Sequence, residues 1–189
     1  MTSDPWVNVR TRHDFPADEV ISALQKEIRR GNVENAALLA YEMFTTSAEL
    51  EAKLWTRLVV ISVEDVGLGD RNLPILIKTL YDMAQFFDRA AFPPDRGLFA
   101  IHAVRLLATS PKDRSSDEMY NWIRMSVEEN GLRPVIPDYA IDMHTARGQA
   151  LGRDVTHFLE VGSQVVPELE GREQTYRERV LALLQQKDR

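Results

Sequence analysis

The residues best equipped for chemistry lie in one polar segment, 137–154, which holds Asp138, Asp142, His144, Arg147 and Arg153. Carboxylates beside an imidazole could move protons or help hold a metal, and arginines at this density are what a phosphate group would need. On a helix Asp138, Asp142 and Thr145 share one side, while His144, Arg147 and Leu151 share another. Gly148 and Gly152 weaken that helix by about 1 kcal/mol each relative to alanine. The segment therefore has two readings: internal pairing of acids with neighbouring arginines, or contact with a phosphate or a partner. A metal is a poor fit. Asp142 and His144 are two apart and diverge by about 200° on a helix, so a site there needs His157 as well. The remaining histidines, His13 and His102, form no ligand motif with these, and His102 falls in an apolar helix, where a structural role is expected.

A second acidic pair, Glu64 and Asp65, closes an apolar helical run within residues 55–70. Leu54, Leu58 and Ile61 recur at helical spacing, and Gly67 is placed to end the helix in a left-handed turn. A helix C-terminus disfavours carboxylates, so the pair needs solvent or a specific partner. The expected partners are loop N–H groups or an arginine such as Arg57 or Arg71. Two other acidic pairs, Asp117 with Glu118 and Glu128 with Glu129, read as a helix first turn and a solvated face.

Other chemistries are excluded by their missing motifs. The chain has no Gly-x-x-x-x-Gly-Lys-Ser/Thr loop, no dinucleotide-binding glycine pattern and no Gly-x-Ser-x-Gly elbow. It has no cysteine, so disulfides, thiolate nucleophiles and cysteine zinc sites are ruled out. No cofactor and no catalytic residue is expected.

The elements that must position these residues are helices. The chain has 189 residues, enough for one good-sized core or two small ones. Residues 1–17 read as an irregular arm pinned by Trp6 and Phe15. Helices are then expected from residue 18 to Gly31, over 33–45 behind Asn32, from Ser47 to the acidic pair, over 73–89, 93–109 and 116–130, over 138–151 and 154–165, and over 176–186. The expectation is an all-α protein of about eight or nine helices, with residues 18–189 as one domain. The connector over 132–137 is too short to prove a boundary, and no repeat period is present.

A net charge of −6 argues against generic, charge-driven nucleic-acid binding. Local basic groups remain at Lys26, Arg29 and Arg30, at Lys112 and Arg114, and at Arg147 and Arg153, each flanked by acids. Nothing approaches the roughly 18 consecutive apolar residues a membrane span requires, and the N-terminus lacks signal-peptide character. A cytoplasmic protein with no membrane contact is the expectation.

Three stretches carry a family resemblance. The run Ile21, Ser22, Ala23, Leu24, Gln25, Lys26, Glu27, Ile28, Arg29, followed by Gly31 and then Ala36, Ala37, Leu38, resembles the opening of the C-terminal helical domain of MgsA/RarA-type AAA+ ATPases. Arg57, Leu58, Val59, Glu64, Asp65, Val66, Gly67, Leu68 and Asp70 follow a second motif of that domain. Ser62 and Val63 stand where the family has Ala-Ser, and Gly69 where it has alanine. Residues 108–112, ending in Lys112, are similar to its Ala-x-x-Pro-Lys-Ser stretch. The likeness covers about 18–130, and residues 131–189 depart from the family pattern.

The resemblance implies a fold similar to the clamp-loader collar domain that follows an AAA+ core, and a homotetramer. It also implies an accessory place in DNA replication or repair, among partners acting at stalled forks. Here the ATPase core is missing, so the expectation is a non-catalytic oligomerisation or docking domain. Its motif residues Arg57, Glu64, Asp65, Gly67, Asp70 and Lys112 are then structural. Two rivals remain: a small enzyme or phosphate- or metal-ligand-binding protein using 138–153, and direct DNA contact by the arginines.

Overall fold

The computed structural model describes residues 5–91 and 93–187, and they are all-helical. Among the described residues the β pairing is limited to an isolated bridge between Arg10 and Pro16. The chain divides into two compact units, residues 1–131 and 132–189. That boundary falls where the expected family-like part gives way to the divergent C-terminal helices.

The first unit holds α1 (Ala17–Arg30), α2 (Val33–Thr46), α3 (Ala48–Ile61), α4 (Leu73–Ala84), α5 (Pro93–Thr109) and α6 (Ser115–Asn130). Helical spacing brings Val20, Leu24 and Ile28 of α1 to one side, where they meet Ala36, Ala40 and Met43 of α2. Alanines on α2 and α5 let these backbones come close, and α3 threads the resulting core with Leu50, Leu54, Leu58 and Ile61, all fully buried. Ser47 caps α3, its hydroxyl accepting the Leu50 N–H at 3.1 Å. The β-branched run near residue 60 is helical, as its spacing predicted. The fourth helix ends at Ala84 rather than at 89, because Arg89 turns inward as part of the ion cluster described below.

The arm is pinned differently from expectation. Trp6 and Val9 pack against the core, whereas Phe15 is 54% exposed. The His13 N–H donates to Glu42 at 3.0 Å, and the buried Thr11 exchanges hydrogen bonds with Phe15, which holds the loop shut.

α6 is unlike the rest: none of its 16 residues is buried. The second unit is thinly packed. Its helices are α7 (Ala146–Ala150), α8 (Val155–His157) and α9 (Thr175–Lys187), and Ile141 is its one buried hydrophobic residue among the described ones. The expected helix over 138–151 is not continuous. A single 3-10 turn, Asp138–Ala140, is followed by a loop, and Thr145 caps the short α7 by accepting the Gly148 N–H at 3.0 Å. Residues 154–165 also fall short: Asp154 caps α8, which widens into a π turn over Phe158–Gly162. No described helix is long and apolar enough to cross a membrane.

Candidate functional site

The 138–153 segment is built from pairs. Arg153 donates Nη2 to both Asp138 oxygens, at 2.8 and 2.7 Å, and Nη1 to the Asp138 carbonyl at 2.7 Å and to that of Ile141. A bidentate arginine–carboxylate contact of this kind holds a loop in one geometry. Asp142 accepts the His144 N–H at 2.9 Å and lies 3.0 Å from His144 Nδ1. The hydrogen bonds from the His144 side chain and backbone hold the Asp142 carboxyl below the usual carboxylate range. The loop thus ties Asp138 to Arg153 and Asp142 to His144, the internal-pairing reading of this segment. Arg147 is exposed and joins neither pair.

Gly148 explains part of the glycine content. A Cβ there would lie 1.8 Å from the Asp142 carbonyl oxygen, so only glycine lets the two backbones meet. His144 stacks edge-on against Phe158 at 5.1 Å between ring centroids. The His157 Nδ1 is buried without a hydrogen-bond partner. Among the described residues no group of three His, Asp or Glu side chains is placed to hold a metal ion. His102 lies on the exposed side of α5.

In the first unit, the motif residues converge on Asp65, whose side chain is fully buried. The helix widens into a π turn, Ser62–Val66, where the Ser62 hydroxyl donates to the Val59 carbonyl at 2.6 Å. That turn directs Glu64 and Asp65 toward α1 and the loop before α6. Asp65 accepts from Gln25 Nε2 at 3.0 Å, from Arg114 Nη1 at 2.7 Å and from Arg29 Nε. Glu64 accepts from Arg29 Nη2 at 3.1 Å and lies 3.9 Å from Arg57, which also bonds Gln25. Arg114 further bonds Asp117. Burial opposes the Arg114 charge, but its hydrogen bonds to Asp65 and Glu64 outweigh that and raise its pKa. The partners are therefore Arg29 and Arg114, with the expected Arg57 near Glu64, rather than Arg71 or a loop N–H. Arg29 and Arg114, one member each of two local basic groups, are consumed here, in a cluster with three guanidiniums and three carboxylates, while Lys26 and Arg30 stay exposed outside it.

The remaining motif residues fasten one loop. The Asp113 N–H donates to the carbonyls of Asp65 and Val66, both at 3.1 Å. Gly67 has a φ of 52°, and a Cβ on it would lie 2.3 Å from the Asp113 carbonyl oxygen. At Gly69 a Cβ would meet the Pro111 carbonyl oxygen at 2.4 Å, so the alanine of the family motif does not fit this loop as it stands. Lys112 Nζ donates to the carbonyls of Leu107, Ala108 and Ser110, closing the C-terminus of α5. Burial lowers the Lys112 pKa, and the Asp65 charge partly offsets it. Asp70 accepts the Asn72 N–H at 3.0 Å ahead of α4.

A second buried acid escaped sequence reasoning. Glu51, 3% exposed, accepts Arg89 Nε at 2.9 Å and Arg96 Nε at 2.6 Å. The two arginines also satisfy carbonyls of Phe44, Ala84 and Phe87, so one carboxylate ties the ends of α2 and α4 together. In sequence Glu51 is an ordinary first-turn acid, and nothing local distinguishes it.

The exposed apolar face of α6 is the feature left without a structural explanation. Met119, Trp122, Ile123 and Val127 recur at three- and four-residue steps, and all four are open to solvent, Trp122 at 59%. No model of a known protein family matches this chain, and no curated protein sequence matches it.

Proposed function

We propose that this chain is a non-catalytic helical domain that oligomerises or docks, with α6 as the element that engages the other molecule. The observation that carries the reading is α6 itself: sixteen residues, none buried, with a tryptophan-centred apolar stripe. A helix of this length is marginal in water without tertiary packing, and apolar stripes on a surface are characteristic of interfaces. A second copy of the chain is the proposed occupant. The resemblance of residues 18–130 to the tetramer-forming C-terminal domain of MgsA/RarA-type ATPases supports that choice, and with it the proposal of an accessory role in DNA replication or repair.

The ion clusters support the non-catalytic part. Arg29, Arg114, Arg89, Arg96 and Arg153 all spend their guanidiniums on carboxylates and carbonyls of the chain itself. The rival that places an enzyme or ligand site at 138–153 draws no support from side chains already paired with one another. Static light scattering across a concentration series tests the assembly. A mass at a multiple of 21.6 kDa is expected, and a strict monomer at high micromolar concentration would overturn it.

A further inference from the structure

A trough runs along the packed pair α1 and α2, and no residue of α6 lines it. One hollow of about 440 Å³ lies beside the arm, with Val20 and Ala23 of α1 and Leu39 of α2 on its apolar floor. A second, of about 380 Å³, adjoins it at Asn35 and Leu38 and runs to the start of α2. Three large apolar side chains stand along the first hollow: Phe15, Leu38 and Tyr41, each more than half exposed.

Phe15 is held in the open by construction. Its N–H and carbonyl are both bonded to Thr11, Asp14 beside it takes a positive φ of 63°, and His13 is fastened to the buried Glu42. Backbone bonds thus hold this residue outside the core, which leaves its ring available as one wall of the hollow.

The rim is acidic apart from His13, which is paired with Glu42. Glu19 and Glu42 line the first hollow and Glu27 and Glu34 the second, and neither is lined by a lysine or arginine. Glu42 is engaged by His13, and Glu27 by Asn35. Glu19 and Glu34 are exposed, and the side chain of neither makes a hydrogen bond or ion pair with another described residue.

We infer that this trough docks a basic amphipathic helix of a partner protein, its apolar ridge against Phe15, Leu38 and Tyr41 and its lysines or arginines against Glu19 and Glu34. Two helices of 14 residues offer a seat about 21 Å long, which matches a helix of similar length. In helix-in-groove docking the apolar anchors recur at three- and four-residue steps on the docked helix, and Phe15, Leu38 and Tyr41 are the wall they would meet here. The α6 face of a second copy is the wrong occupant, since Asp117, Glu118, Glu128 and Glu129 outnumber its one arginine, Arg124. The acidic rim sets the orientation and speeds encounter, and the apolar wall supplies the affinity.

The test is fluorescence anisotropy with the full chain and a labelled synthetic helix of about 18 residues, leucine on one face and lysine on both flanks. Two comparison peptides accompany it, one with glutamate for every lysine and one with the same residues scrambled. Saturable binding of the lysine helix is expected, at least about tenfold tighter than either comparison peptide. Leu38→Asp and the double variant Glu19→Lys, Glu34→Lys should each weaken it by about tenfold or more, while Trp122→Glu leaves it unchanged. All substituted positions are solvent-exposed, and circular dichroism confirms that the variants stay folded. No binding at 100 μM, equal binding of the scrambled peptide, or loss of binding in Trp122→Glu but not Leu38→Asp would overturn the inference.

Discussion

Removing the Asp65 carboxylate takes from Arg29 and Arg114 the fully buried partner they share, leaving them only the partly exposed Glu64 and Asp117. Breaking one side of a buried ion cluster costs about 3–5 kcal/mol, so Asp65→Ala should lower the urea midpoint sharply. A variant of unchanged stability that lost a function would reverse the structural assignment. Gly67→Ala is expected to cost about 2 kcal/mol or more, because positive φ and the Asp113 carbonyl both resist a Cβ there. Glu42 is the residue whose titration matters most to the arm. Burial pushes its pKa up, but hydrogen bonds from Thr11 and His13 outweigh this and lower it below the ordinary 4.5. A depressed folded pKa means that its stabilisation is present above about pH 4.5 and fades as pH falls through the folded value. Glu42→Gln should therefore flatten the acid limb of stability against pH, read from thermal melts between pH 3 and 6. The importance of Asp65 was legible in sequence from its place at a helix end. Its partners were not, since Arg29 and Arg114 lie 36 and 49 positions away and only the packing brings them together.

At the scale of elements, local signals placed most helix boundaries in the first unit. Gly31 ends α1, Ser47 caps α3, and Gly131 ends α6, each where residue type predicts it. Failures came where a tertiary partner or local side-chain bonding overrode the pattern. The 73–89 helix stops early because Arg89 is drawn to Glu51, and 138–151 breaks because Asp142 and Thr145 bond the backbone locally instead of extending a helix. The end of α3 becomes a π turn, which no periodicity announces. The exposed stripe of α6 was not legible in sequence, because periodicity shows only which residues share a face and not whether that face is covered. If α6 is held by another molecule, Trp122 should emit at shorter wavelength in the assembled state than on dilution. Trp6 and Trp55 are replaced by phenylalanine to isolate that signal. An unchanged spectrum through the dissociation range would argue against contact at α6.

At the scale of the molecule, the two units differ in how much apolar surface they bury. Residues 1–131 own a contiguous core, whereas residues 132–189 bury Ile141 and little else among those described. Amide hydrogen exchange should therefore be slowest in α1, α3 and α5 and fast across 132–187, because protection follows buried contacts. Equal protection in both units would show that the second is held by something beyond its own packing. Fold class was legible in the sequence as a whole, in helix after helix with short links, while the question of assembly belongs to the whole molecule. Sedimentation velocity on the wild type and on Trp122→Glu, Ile123→Glu puts it most directly. The account predicts a wild-type species at a multiple of 21.6 kDa that the double variant reduces to a folded monomer. A wild type that sediments as a monomer at high micromolar concentration, or a double variant that assembles as the wild type does, would contradict it.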